Sequence, residues 1–339
     1  MGTFPLRMAC SCFLLLPVLL CPQAHAFQLD DRSGPSFGAP AGIAANLKRG
    51  NFVEPRDMPR ADLRVDVPLV LVPVHVITPL GASVTTLKQE NFRLFEDNVE
   101  QSIRAFVKED APVSVGLLFD TSGSMRTKIR KAVDAAAEFF KSSNPEDEFF
   151  LVEFNERPKL TVPFTQDSAD VYERLARARP SGRTSLYDAL SLALAEMKSA
   201  HNLRKAIVIV SDGGDNHSHH TEKQILSALR EVDVQIYALG IFEPEDAKLT
   251  PEERNGPEVL EELAGETGGR NFTVDKLDDL QSVCAQIGRE LRTQYLLGYS
   301  PLNAVRDGKY RRVKVSLVST ENLPPLKPYY RLGYTAPLN

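Results

Sequence analysis

An aspartate and two serines separated by single residues, Asp120, Ser122 and Ser124 in the run VGLLFDTSGSM (115–125), place three oxygen donors at positions 1, 3 and 5 of one turn. Gly123 between the serines allows backbone angles that a side chain would resist. Two later loops carry the same chemistry: PSGRTS (180–185) holds Thr184, and SDGGD (211–215) holds Asp212. Carboxylates, hydroxyls and water are hard donors, which suit Mg2+, Mn2+ or Ca2+ and disfavour zinc or copper. Asp120 and Asp212 are the carboxylates of the set, and Ser122, Ser124 and Thr184 are neutral, so these side chains alone do not complete an octahedron. A dication with an open position and few anionic ligands stays electrophilic. A carboxylate presented by a partner protein is its natural occupant.

These donors need a frame that brings three loops to one edge. Val115, Leu117, Leu118 and Phe119 form the near-continuous apolar run of a strand covered on both faces, and a helix is expected from about 128 to 143. The site turn then lies at a strand's carboxyl end and a helix's amino end, where open α/β sheets bind ligands. From Val113 onward, strands at 113–119, 149–154, 159–164, 206–210, 235–241 and 270–274 alternate with helices near 168–178, 186–200, 221–232, 257–267 and 276–292. That rhythm predicts an α/β domain over 111–290 with a doubly wound, mostly parallel sheet flanked by helices; 159–164 reads as an antiparallel edge. The charged, Pro-rich segment 242–258 reads as a surface excursion.

Strand signals also lie outside this rhythm. Residues 63–110 include VDVPLVLVPVHVITP, whose Pro68 and Pro73 predict an edge strand or a bulge, and a hairpin from NFRLFE through Asp97-Asn98 to QSIRAFV. Residues 291–339 carry further strands at 295–299, 311–318 and 329–334. The economical arrangement pairs the two flanks in a small β-sandwich, with the α/β domain inserted between them.

DTSGSM, Thr184 and the strand-terminal Asp212 resemble the metal-ion-dependent adhesion site of von Willebrand factor type A domains over residues 113–285. The resemblance implies that Asp120, Ser122 and Ser124 bind metal directly, and that Thr184 and Asp212 bind it directly or through water. All five positions are filled. The flanking segments look like those of a bacterial group of secreted type A domain proteins. Each residue also has an ordinary structural role open to it. Ser122 and Ser124 are able to cap the following helix, and Asp120 and Asp212 to shape turns. For Thr184, a capping box of Ser185 with Asp188 leaves the threonine free. Asp215 reads as a solvated loop residue.

Residues 1–26 have one basic residue, Arg7, an apolar run from Cys12 to Cys21, and the small-x-small ending Ala24-His25-Ala26. They resemble a secretory signal cut after Ala26, since the run is too short to span a bilayer and is broken by Pro17. Gly, Pro and Ala without periodicity make 27–62 a flexible linker. Cutting there removes Cys10, Cys12 and Cys21 and leaves Cys284, whose neighbours Leu280, Val283, Ile287 and Leu291 at helical spacing make it a core residue. The formal charge of −5 becomes −6 with the loss of Arg7, and such mild acidity argues against nucleic acid and anionic membranes as partners. His217, His219 and His220 follow a Gly-Gly turn with no cysteine nearby and read as an exposed loop rather than a zinc site.

The function expected is therefore a secreted or periplasmic, metal-dependent protein-binding module of adhesion type, and not an enzyme. The alternative is a hydrolase or phosphoryl-transfer enzyme using the same cation. It lacks a candidate nucleophile or general base in the three loops before His217.

Overall fold

The computed structural model describes residues 69–108, 111–141, 143–242, 250–274, 276–318 and 324–338. The signal and linker expected over 1–62 lie outside them. No helix among the described residues is long and apolar enough to cross a membrane.

Four short strands come first: β1 (Val70–Ile77), β2 (Phe92–Glu96), β3 (Val99–Gln101) and β4 (Ile103–Val107). The α/β region follows with strands β5 (Val113–Asp120), β6 (Glu148–Phe154), β7 (Lys159–Thr165), β8 (Arg204–Ser211), β9 (Gln235–Ile241) and β10 (Arg270–Val274). Its helices are α1 (Ile129–Lys141), α2 (Ser168–Leu175), α3 (Leu186–Glu196), α4 (Glu222–Glu231), α5 (Pro251–Thr267) and α6 (Leu280–Arg292). The chain closes with β11 (Tyr295–Tyr299), β12 (Tyr310–Leu317), β13 (Lys327–Tyr330) and β14 (Gly333–Thr335).

The central sheet has the order β10-β9-β8-β5-β6-β7, parallel except for β7, which is antiparallel at the edge as the sequence predicts. Every residue of β5 is buried. Alternation along it divides two cores. Val113, Val115, Leu117 and Phe119 join α1 and α6 on one face, and Leu118 joins α3, α4 and α5 on the other. The chain leaves β5 for β6 on one side and reaches β8 on the other, so the switch point of the sheet lies between β5 and β8. Asp120 ends one of these strands and Ser211 ends the other.

The flanking strands form two four-stranded sheets, β13-β1-β11-β4 and β14-β12-β2-β3, each mixing strands from both ends of the described chain. Their inner faces share a core that includes Val72, Val74, Leu94, Tyr295, Tyr299 and Val313. The α/β region is thus inserted between β4 and β11, which pair with each other. Buried polar groups join it to the sandwich: Glu290 on α6 pairs with Arg270 on β10 and sits 3.6 Å from His75 of β1. Gln294 donates to Tyr237 Oη at 3.2 Å.

Three local expectations are corrected. β1 is an interior strand despite Pro73, which lies opposite Leu296 and falls short of the β13 ladder, which begins at Val74, so its missing N–H costs no bond to β13; Pro68 lies outside the described residues. The segment 101–107 does not continue one hairpin. The β2–β3 hairpin turns at Asp97 and Asn98, both with positive φ (47° and 67°), and the chain then crosses at Ser102 into the other sheet as β4. Residues 251–258 are not an excursion but the first turns of α5. Thr250 and Glu253 form a capping box and Pro251 opens the helix, outweighing Pro257 within it.

Candidate metal centre

Loop 1 follows β5, with a short 3-10 turn at Gly123–Met125. Loop 2 (180–185) precedes α3, and loop 3 (211–215) follows β8. Backbone bonds tie loops 1 and 2 in both directions: Gly123 N donates to Gly182 O at 3.0 Å, and Ser181 N to Thr121 O at 2.8 Å. Loops 2 and 3 are tied by Asn216 N to Thr184 O at 3.1 Å and by Thr184 N to Asn216 Oδ1 at 3.0 Å. Loops 1 and 3 are tied through a carboxylate, since the Ser211 hydroxyl donates to Asp120 Oδ2 at 2.6 Å. The five residues marked in the sequence therefore come together at the carboxyl edge of the sheet.

Asp120 is fully buried and Asp212 nearly so, at 0% and 4% exposure. Asp120 Oδ1 accepts from Ser122 N at 2.8 Å, and the Ser122 and Ser124 hydroxyls lie 3.0 Å apart. Burial first, and then the charge of Asp212, push the Asp120 carboxyl well above the usual carboxylate range; hydrogen bonds from Ser122 and Ser211 offset part of that. Two carboxylates held together away from water raise each other's energy, and a cation between them relieves it. One cation is built in: Lys128, 5% exposed, puts Nζ 3.5 Å from Asp212 Oδ2. The other oxygen, Asp212 Oδ1, is buried with no hydrogen-bond partner. It is one of several such atoms among the described residues, and the one that lies on the three loops. The Thr184 side chain is also buried, and its hydroxyl makes no hydrogen bond among the described residues.

Loop 3 is held from outside by α5. Gly213 has φ +76°, and Gly256 packs so tightly that a Cβ there would lie 2.1 Å from the Asp212 carbonyl oxygen. The first turns of α5, which the sequence reads as part of an excursion, are therefore the backing of the third loop.

Several neighbouring residues differ from the sequence reading. Ser185 makes no cap bond; its hydroxyl donates to Asn155 O at 2.6 Å, pinning loop 2 to the end of β6. Asp188 turns instead to the histidine loop, accepting from His219 N and His220 N and from both ring Nδ1 atoms. Asp215 is structural rather than solvated, accepting from Tyr187 N and from the Ser218 hydroxyl. Among the described residues no three of His, Cys, Asp and Glu gather at one point. Lys128, Ser211 and Asn216 were missed in the sequence. Ser211 had a signal as the last residue of an apolar strand beside Asp212; Lys128 had none beyond its place at the start of a helix.

Residues 115–214, which take in all three loops but Asp215, match the family model described as the von Willebrand factor type A domain. Over those residues the chain is similar to a von Willebrand factor type A domain. Two curated relatives are similar to part of the chain at low identity. An uncharacterized protein of Borreliella burgdorferi is 25% identical over 151 residues, 40% of this chain and 44% of that one. Inter-alpha-trypsin inhibitor heavy chain H2 of Sus scrofa is 29% identical over 149 residues, 38% of this chain and 16% of that one. The match thus spans less than half the length of either relative. Among solved structures, a von Willebrand factor type A protein from Catenulispora acidiphila is 14% identical, covering 72% of this chain and 74% of that one, with a TM-score of 0.46. The vWF domain of the type V pili tip protein Mfa5 from Porphyromonas gingivalis is 13% identical, covering 54% and 95%, with a TM-score of 0.45. In the α/β region that contains the matched residues, helices cover both faces of a mostly parallel sheet, and the three loops stand at the carboxyl edge of the sheet.

Proposed function

We propose that the chain is an exported, metal-dependent protein-binding module that engages an acidic group of its partner through a divalent cation, Mg2+ with Mn2+ or Ca2+ as substitutes. The observation that carries this reading is the unpartnered, buried Asp212 Oδ1, close enough to the Asp120 carboxylate to repel it, on a loop tied to those of Ser122, Ser124 and Thr184. These are hard oxygen donors, with two negative charges and one nearby ammonium. Asp120, Ser122, Ser124, Thr184 and Asp212 would hold the ion, which would supply a Lewis-acidic position for a partner carboxylate. This chain's own residues do the positioning. Ser211 and the Ser122 N–H aim the Asp120 carboxylate, and Lys128 holds one oxygen of Asp212. Export rests on the signal-like order of Arg7, the apolar run and Ala24-His25-Ala26.

The test is binding of a short peptide bearing one aspartate, followed by fluorescence anisotropy, with Mg2+ against chelator. Binding in Mg2+ that chelator abolishes supports the reading. Equal binding in both, or none in either, refutes it.

A further inference from the structure

Four arginines lie on or beside loops 1 and 2. Arg126 follows Ser124 in loop 1, Arg130 lies in the first turn of α1, Arg179 immediately precedes loop 2, and Arg183 stands beside Thr184. All four are exposed. None makes an ion pair with a described residue; Arg179 donates to the Ala178 carbonyl at 3.1 Å. Other exposed arginines of this chain do find carboxylates, as Arg93 with Glu100, Arg177 with Glu173 and Arg230 with Glu266. Guanidiniums with no ion pair among the described residues, grouped on one edge of a chain whose formal charge is −5, are a local concentration of positive charge.

The four belong to one surface. The bond from Gly123 N to Gly182 O presses the loop of Arg126 against that of Arg183. Arg130 and Arg179 line one open cleft of about 500 Å³ between α1 and α2, walled also by Ile129, Tyr172 and Leu175, with Pro180 of loop 2 at its border. Acids stand among them singly: Asp134 lines the cleft, the Glu156 side chain rests on Gly182, and Glu253 packs against Gly214 of loop 3.

We infer that the partner segment captured at the metal centre is polyacidic: one carboxylate reaches the cation, and further Asp or Glu side chains lie along the arginine rim and into the cleft between α1 and α2. This rests on the reading of the site given above and adds the chemistry of the partner. Arginine's planar fork matches carboxylates in pairs. The apolar walls of Ile129, Tyr172 and Leu175 favour a peptide's aliphatic stems over a sulfated polysaccharide, whose surface is hydrated throughout. The rim sets which acid is chosen, since a lone carboxylate satisfies the cation alone.

The experiment compares three labelled probes on the full chain in Mg2+: an octa-aspartate peptide, a Gly/Ser peptide of equal length with one aspartate, and heparin. The octa-aspartate is expected to bind roughly tenfold or more tighter than the single-aspartate peptide at low salt, an advantage that shrinks at high salt. The double variant Arg130→Ser, Arg179→Ser should lose that advantage while its calorimetric Mg2+ titration stays as in the parent. Equal affinity for the two peptides with Mg2+ binding intact would overturn the inference and leave the metal reading standing. Heparin binding tighter than octa-aspartate and indifferent to chelator would also overturn it. Absence of Mg2+ binding by the parent chain would remove both readings together.

Discussion

Lys128 Nζ lies 3.5 Å from Asp212 Oδ2 with both side chains almost wholly buried, at 6% and 5% exposure. A cation supplied by the chain therefore already faces one oxygen of the carboxylate whose other oxygen is unpartnered. Removing one member of a buried pair leaves the other charge uncompensated, so Lys128→Met should destabilise the metal-free protein by about 3 to 5 kcal/mol. Mg2+ should restore much of that, because a ligand that binds only the folded state stabilises it by mass action. Thermal melts with and without Mg2+ check this: the Mg2+-induced rise should be larger in the variant than in the parent.

Gly256 gives a prediction whose sign runs against helix propensity. In a helix interior, Gly to Ala ordinarily stabilises by about 1 kcal/mol. Here a Cβ would lie 2.1 Å from the Asp212 carbonyl oxygen and 3.1 Å from its carbon, and backbone cannot swing aside as a side-chain tip can. Gly256→Ala should lower stability and also displace loop 3, weakening Mg2+ binding, although residue 256 offers no ligand. Denaturant melts and a Mg2+ titration of the same sample test both halves.

The histidine loop predicts a pH effect. Backbone and ring N–H groups of His219 and His220, acting against a desolvation cost, hold the Asp188 carboxyl well below the usual carboxylate range. Its folded-state proton affinity is depressed, so the unfolded chain takes up the proton first on acidification. The stabilisation is fully present above about pH 4 and is lost as pH falls further. Asp188→Asn should cost about 1 to 3 kcal/mol near neutrality, from hydrogen bonds left unmade, and progressively less below pH 4. Urea midpoints across pH 3 to 7 measure the converging curves. Zn2+ should leave both proteins unchanged, as the loop is structural.

Much of the frame is legible in the sequence because buried parallel strands are uninterrupted apolar runs. VSVGLLFD and KAIVIVS announce the two strands that flank the switch point, and their terminal polar residues announce the site. What was hidden is long-range. Whether Pro73 is tolerated depends on where the β13 ladder starts, more than 250 residues away in the chain. PEERNGPE looks like a loop because its residues are polar and two are prolines; the Thr250–Glu253 cap that decides otherwise was outweighed by composition. Lys128 looks like any exposed helical lysine until packing buries it against Asp212. Ser185 and Asp188 match the spacing of a capping box, but loop contacts recruit both elsewhere.

Core and site are separable by substitution. Leu117 is 4% exposed and packs beneath loop 1 in the core shared by α1 and α6. Leu117→Ala should cost about 2 to 5 kcal/mol through the cavity it leaves. Its Mg2+ affinity, measured well below its melting temperature, should stay near that of the parent.

Asp120→Asn provides the most direct measurement. The amide keeps an acceptor for the Ser122 N–H and fills the same volume, but it removes the charge on which the cation depends. It also removes the repulsion with Asp212 that burial intensifies, so the metal-free variant should melt at or above the parent's temperature. Calorimetric titration of both proteins with Mg2+ tests the account's central claim. A parent that binds one Mg2+ and a folded Asp120→Asn that binds at least about tenfold more weakly is the predicted result. Undiminished Mg2+ binding by the variant would contradict the site assignment and the binding function built on it.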